Sequence, residues 1–228
     1  MNNINKEVIL KGIPASPGIC HGNAMLFYQG NIDIPSYTIT ADEVDSEISR
    51  FEKALIDTRS EILNIRNKVS NSLGDGEALI FDAHLMVLED NALITEILQY
   101  VKSNKRNIEY CFNEVVERYI NFFKTIEDDY LRERVADIKD VSRRLLNNLL
   151  GEQTGIKKES LKKRIIVSED ISPSQAVGFD KDSLHAFITD SGGATSHFVI
   201  MARSLKIPAV VGLHNATQKI NTGDFLLI

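Results

Sequence analysis

The sequence predicts an α/β domain assembled from both ends of the chain, with an all-helical domain inserted between them. Three observations carry this expectation. Short apolar runs broken by Gly and Pro fill residues 1–35 and 150–228, the texture of strands and turns. Over residues 36–149 apolar side chains recur at three, four and seven positions, as on helices that bury one face. Near the C-terminus a helical segment lies between two strand-like runs, an order that implies a parallel pair joined by a right-handed crossover.

In chain order, EVILKGIPASPGICHGNAMLFY (7–28) opens the α/β part with short strands and turns. Thr40 and Glu43 form a T-x-x-E capping box. After them Val44, Ile48, Phe51, Leu55, Ile62, Ile65 and Val69 set one apolar stripe on a long helix. GEALIFDAHLMVLED and NALITEILQYVK make a second helical stretch, broken at Asp90 or Asn91. IEYCFNEVVERYINFFKTI makes a third, burying Phe112, Val116, Tyr119 and Phe123. In DDYLRERVADIKDVSRRLLNNLLG the residues Leu131, Val135, Ile138, Leu145 and Leu149 line one face, and Gly151 ends the helix. RIIVSE, HAFITD, PAVVG and DFLLI are four strand-like runs, with the helix SHFVIMARSL between the second and third.

At 228 residues the chain is long enough for one large domain or two small ones with proper cores. A composition of 43% hydrophobic and 25% charged residues is that of an ordinary globular protein. The net charge of -6 argues against nucleic acid or an anionic membrane as partner, since both need a basic face. Cys20 and Cys111 lie far apart with no CxxC spacing, which predicts reduced thiols rather than a disulfide framework or zinc site. His21, His84, His185 and His214 share no spacing that suggests a metal. With no leader-like apolar segment and no apolar run near ~18 residues, the expectation is a soluble, cytoplasmic protein. The abrupt end of the last strand at Ile228 suggests a piece of a longer protein.

The segment TDSGGATSHFVIMARSLKIPAVVG (189–212) holds the candidate chemistry. Reactive groups in parallel α/β sheets gather at the carboxyl ends of strands, where this loop begins. Gly192 and Gly193 permit unusual backbone angles and close approach by another molecule. Thr195 or Ser196 caps the next helix, whose first turn holds His197. Free N–H groups and the helix dipole favour an anion there, and an imidazole with a pKa near ~6.5 is a competent nucleophile. On the residues alone His197 also reads as a capping or packing residue. As a general base it lacks a nearby Ser or Cys nucleophile with a supporting acid.

GGATSHFVIMARSLKIPAVVG resembles the phosphohistidine signature of the phosphoenolpyruvate-utilising enzymes, G-G-x-T-S-H followed by A-R-x-x-x-[IL]-P-A-V-x-G. That family includes Enzyme I of the bacterial phosphoenolpyruvate:sugar phosphotransferase system, pyruvate phosphate dikinase and phosphoenolpyruvate synthase. ASPGI near the start, IFDAHLMVLED at 80–90 and DDYLRERVADIKDVSRRLLNNLLG at 128–151 resemble the N-terminal domain of Enzyme I, whose helical insert the dikinase and synthase lack. The resemblance implies a discontinuous α/β phosphohistidine (swivelling) domain, 1–35 with 150–228, and an inserted all-helical HPr-binding domain, 36–149.

It further implies that catalytic His197 takes a phosphoryl group from phosphoenolpyruvate on Nε2 and passes it to the phosphocarrier protein HPr. Ser172, where the family commonly has Thr, would orient the histidine; it also reads as a helix cap before Pro173. Gly192, Gly193, Thr195 and Ser196 would shape the phosphate's surroundings. Arg203 reads as a member of a structural ion pair rather than a phosphate contact. His84, Asp82, Arg134 and Glu77 are the implied HPr contacts, although periodicity alone makes His84 a core residue. Two departures stand out: Ala194 replaces the usual Arg, and Gly76 falls where relatives tend to be acidic. In the full-length family member a C-terminal barrel binds phosphoenolpyruvate and Mg²⁺ and forms the homodimer. This stretch alone is therefore expected to be a cofactor-free monomer that only exchanges phosphoryl with HPr. The alternatives are a phosphohistidine domain of a synthase- or dikinase-like enzyme and a regulatory, non-sugar relative.

Overall fold

The computed structural model describes residues 7–28, 30, 32–126, 129–151, 163–179, 184–193 and 196–228, with backbone alone for 129–133. The chain divides into two compact units, Met1–Gln29 with Lys157–Ile228, and Gly30–Ile156.

In the first unit six strands form one sheet: β1 Ile13–Ser16, β2 His21–Leu26, β3 Arg164–Ser168, β4 Leu184–Thr189, β5 Ala209–Val211 and β6 Phe225–Leu227. Their order is β1-β5-β4-β3-β2-β6. The β2–β3, β3–β4 and β4–β5 pairs are parallel, and the two outer strands add antiparallel edges. Parallel strands covered on both faces become apolar throughout, as in β3, where Ile165, Ile166 and Val167 are all buried. Alternation sends Ile165, Val167, Ala186 and Ile188 into a core completed by Leu213, Ala216 and Ile220. On the opposite face the Phe187 ring meets Phe179 at 5.2 Å and Phe198 at 5.1 Å, edge to face. Phe198 belongs to α7 (His197–Ser204), the helix between β4 and β5. Two short helices complete the unit: α6 Pro173–Gly178, of which the sequence showed only the cap at Ser172, and α8 Ala216–Lys219, which it did not show.

The second unit is helical: α1 Val44–Ser72, α2 Asp75–Leu88, α3 Asn91–Asn104, α4 Ile108–Lys124 and α5 Asp129–Leu150. Thr40 and Glu43 make the expected capping box, the Glu43 carboxylate accepting the Thr40 N–H at 2.8 Å. The break before α3 comes from Asp90, whose side chain caps Ala92 N and Leu93 N. Gly151, at φ 69, follows α5 as a left-handed terminator.

The core differs from the stripes in detail. Val44, Ile48, Leu55 and Ile65 are half-buried, whereas Glu47, Ala54 and Thr58 are buried. Glu47 is tolerated because it accepts the Ile108 N–H at 2.7 Å, capping α4 from a neighbouring helix. Thr58 accepts a hydrogen bond from Asn148 at 2.9 Å. On α4 Tyr119 and Phe123 are half-buried, because the buried face runs through Ile108, Cys111, Phe112, Val115, Val116 and Ile120. The Tyr119 hydroxyl donates instead to Glu96 at 2.8 Å. The expected contact of Leu131 falls outside the described side chains. Both cysteines are free. Among the described residues no helix is long and apolar enough to cross a membrane.

Candidate active site

The loop after β4 is held before it reaches the histidine. Asp190 is buried, 6% exposed. Its carboxylate accepts the N–H groups of Ala216 and Thr217 and the Thr217 hydroxyl, capping α8. Its carbonyl accepts the His214 N–H at 3.0 Å. Ser191 then donates its N–H to Glu169 O at 2.8 Å and accepts Gly212 N–H at 3.3 Å, so the ends of β3 and β5 grip the loop from both sides. Gly192 stands at φ 98, a region that side chains rarely adopt, and a Cβ there would meet Val211 Cβ at 3.6 Å and Ser196 Oγ at 3.7 Å. Gly193 has open space around it. Thr195 and Ala194 lie outside the described residues.

His197 is the first residue of α7. Buried Phe198, Val199, Met201 and Ala202 fix which face of the helix meets the sheet. His197 and Ile200, three residues apart, therefore share the outer face, and the imidazole is half-buried. Ser196 occupies the N-cap position with extended backbone, but its hydroxyl does not cap the helix as expected. Its carbonyl closes the first turn instead, accepting Val199 N–H at 2.9 Å and Ile200 N–H at 3.2 Å. The Ser196 hydroxyl is buried and has no hydrogen-bond partner among the described residues. Helix-terminal amides, a positive φ and an unengaged hydroxyl together make a setting for an anion beside the ring.

Ser172 caps α6. Its hydroxyl accepts the Gln175 N–H at 3.3 Å, and its own N–H donates to Gln175 Oε1 at 3.0 Å. Helix α6 packs against α7, which brings the serine's element beside the histidine's. Arg203 makes no carboxylate ion pair among the contacts described; its Nε donates to the Ala15 carbonyl at 2.6 Å. The reason is an available backbone acceptor on β1, which no local pattern announces.

Among the candidates on the helical unit, His84 is 1% exposed, so its ring offers no surface to a partner. Its Nε2 lies 3.3 Å from Asp137 and its Nδ1 3.8 Å from Asp140, both on α5. Arg134 stands 3.8 Å from Asp137 and is partly exposed. Asp82 is paired with Arg66. Glu77 lies in the first turn of α2. The same helix exposes Leu79 and Met86, at 62% and 67%. Asp190 and the Asp137–Asp140 pair were missed by sequence reasoning. Nothing in the local pattern marks them, because the groups they contact lie elsewhere in the chain. Among the described residues no cluster of His, Cys, Asp and Glu could hold a metal ion.

Two family models match the chain. Residues 11–134 match "PEP-utilising enzyme, N-terminal" and residues 161–228 match "PEP-utilising enzyme, mobile domain". The chain belongs to the PEP-utilising enzymes. Curated phosphoenolpyruvate-protein phosphotransferases from Haemophilus influenzae and Enterococcus faecalis are 37% and 40% identical, each over 96% of this chain. The chain spans 38% of the length of these relatives. A solution structure of Enzyme I matches with a TM-score of 0.72 at 38% identity, covering 96% of this chain and 89% of that one. The N-terminal domain of Enzyme 1 – Nitrogen shares the fold at a TM-score of 0.61 and 22% identity.

Proposed function

We propose that this chain is the phosphoryl-transfer part of an Enzyme I of the sugar phosphotransferase system, acting in the cytoplasm. The observation that carries the reading is the half-buried imidazole of His197, opening α7 directly after a glycine loop pinned at both strand ends. In the proposed reaction the Nε2 lone pair attacks the phosphorus of phosphoenolpyruvate. The bond from phosphorus to the enol oxygen breaks, and the electron pair leaves with the pyruvate enolate. In the second step an imidazole nitrogen of HPr attacks the same phosphorus, and the bond to His197 breaks. Such transfer needs positioning and electrostatic support rather than new covalent groups.

In this reading phosphoenolpyruvate and Mg²⁺ bind the part of the full-length enzyme that this chain does not span, where the ion would neutralise charge on the transferring phosphoryl group. Within this chain the amides at the start of α7 and Gly192–Gly193 receive the phosphate oxygens. Ser172, whose hydroxyl still has its proton to donate, orients the ring. The docking face for HPr is α2, where Leu79 and Met86 are exposed and Glu77, Asp82 and, from α5, Arg134 supply the polar contacts that steer encounter.

Mixing the chain with phosphorylated HPr should yield an acid-labile, base-stable phosphate on His197, absent in His197→Ala. Label that never reaches the chain, or that persists in His197→Ala, would overturn the reading.

A further inference from the structure

We infer that Arg203 is a positioning residue for His197, acting through a two-way clamp between the last turn of α7 and a bulge in β1; the inference rests on the phosphoryl-transfer reading above. The clamp starts from the pairing of β1 with β5. Pro14 lies opposite Val210 and Ser16 opposite Ala209, which leaves Ala15 as the extra residue of a β-bulge. A bulge takes the extra residue out of the ladder and re-aims its groups. The freed Ala15 carbonyl accepts Arg203 Nε at 2.6 Å. In return the hydroxyl of Ser16, 6% exposed, donates to the Ala202 carbonyl at 3.4 Å. The exit of β1 is keyed to the same region, since a Cβ on Gly18 would stand 2.5 Å from Pro208, in the connection from α7 to β5.

An arginine in the last turn of a helix ordinarily serves that helix's own carbonyls and dipole. Here those carbonyls already have backbone donors: Leu205 N–H bonds to Met201 O, Ile207 N–H to Ala202 O and Lys206 N–H to Arg203 O, at 2.9, 3.0 and 3.0 Å. The guanidinium reaches across to another element. Arg203 stands six positions along the helix from His197, an axial rise of about 9 Å, and its Nε is already held by the Ala15 carbonyl. Apolar burial of Phe198 and Met201 chooses the helix face but is not directional. Sliding or tilting of an eight-residue helix is resisted by the directional pair at its far end. Displacements near 1 Å at the nucleophile are costly for transfer, so the clamp sets the geometry at which phosphorus is met.

The test uses Arg203→Met, Arg203→Lys and Ser16→Ala in the 228-residue chain. Three readouts are taken: ring nitrogen resonances of His197, urea stability, and phosphoryl exchange with phosphorylated HPr. Arg203→Met should shift or broaden the His197 ring signals and lower turnover at saturating HPr by on the order of 10-fold, with KM changed less than about two-fold. Arg203→Lys should restore part of both, and Ser16→Ala should move the ring signals the same way by less. Ring signals and turnover that match the parent in Arg203→Met overturn the clamp. So does a rise in KM with turnover unchanged, the mark of a docking residue. Should Arg203→Met fail to fold, unmoved ring signals in Ser16→Ala overturn it instead. A parent chain without exchange defeats the phosphoryl-transfer reading alone, because the ring signals still report on the clamp.

Discussion

In the helical unit buried charge lies between helices, while in the α/β unit it lies at the end of the sheet, on the loop that leads to His197. Arg50 on α1 reaches Glu47 one turn away, Glu109 on α4 and the Leu149 carbonyl on α5, so one guanidinium joins three helices. Asn107 extends the network, donating to Glu109 at 2.8 Å and to Pro35 O at 2.9 Å. Burial works against the charge of Arg50, but the hydrogen bonds to Glu47 and Glu109 outweigh it and raise the guanidinium pKa above its ordinary value. In the α/β unit Asp190 spends its carboxylate on the backbone of a short helix and so holds a loop. The helical unit thus uses polar contacts to fix how its helices register, and the α/β unit uses them to shape one loop.

The largest effect should come from breaking the first arrangement. Arg50→Met leaves the Glu47 and Glu109 carboxylates, 9% and 2% exposed, without their cation. Removing one partner of a fully buried pair costs about 3–5 kcal/mol; the Arg50 side chain is 38% exposed, so solvent screens part of this and the loss should be about 2–3 kcal/mol. A urea titration should show that loss, with the His197 ring signals unchanged. A shift of those signals would mean the two units do not divide their roles as described.

A smaller and opposite pattern is expected for Asp190→Asn. The amide keeps one acceptor but presents an NH₂ group to donors, so charge-assisted bonds worth about 1.5–3 kcal/mol are weakened. Here stability should fall modestly while phosphoryl exchange and the His197 ring signals both change. Full exchange in a variant with the expected stability loss would reduce Asp190 to a helix cap.

The difference between units also explains what was legible in the sequence. Every long helix and every strand of the C-terminal stretch showed through period and punctuation, because apolar burial writes a pattern along the chain. Glu47 and Asp137 were not marked by that pattern, since their partners lie on other helices. His84 had two readings, family contact and core residue, and the second fits its 1% exposure. Helices α6 and α8 are too short to show a period; α6 announced itself only through Ser172 and Pro173. Gly192 and His197 stood out in the local motif, but on the residues alone His197 also read as a capping or packing residue, and the family resemblance pointed to its chemistry. The Ala15 acceptor for Arg203 was not, because a bulge depends on register with a strand 195 or so residues away, a relation that no local window contains.

The smallest prediction uses one cysteine in each unit to separate them. Cys111 is fully buried in the helical core, and burial pushes its thiol from an ordinary 9.0 up to about 11. Between those values the unfolded chain gives up this proton and the folded chain keeps it. The folded state then binds more protons, so stability must fall as pH rises through that window. Tyr37, raised first by burial, and Tyr119, raised first by its hydrogen bond to Glu96, act in the same direction. Comparing the parent with Cys111→Ala isolates the thiol: the parent's urea midpoint should decline more steeply with pH, by a difference amounting to no more than about 3 kcal/mol. Parallel slopes would show that Cys111 ionises in the folded state as freely as in the unfolded one. Cys20 is half-buried in the α/β unit, so at neutral pH it should react with a maleimide well before Cys111 does. In Arg50→Met the Cys111 rate should rise while the Cys20 rate stays put, because the lost pair opens only the helices that Arg50 joined.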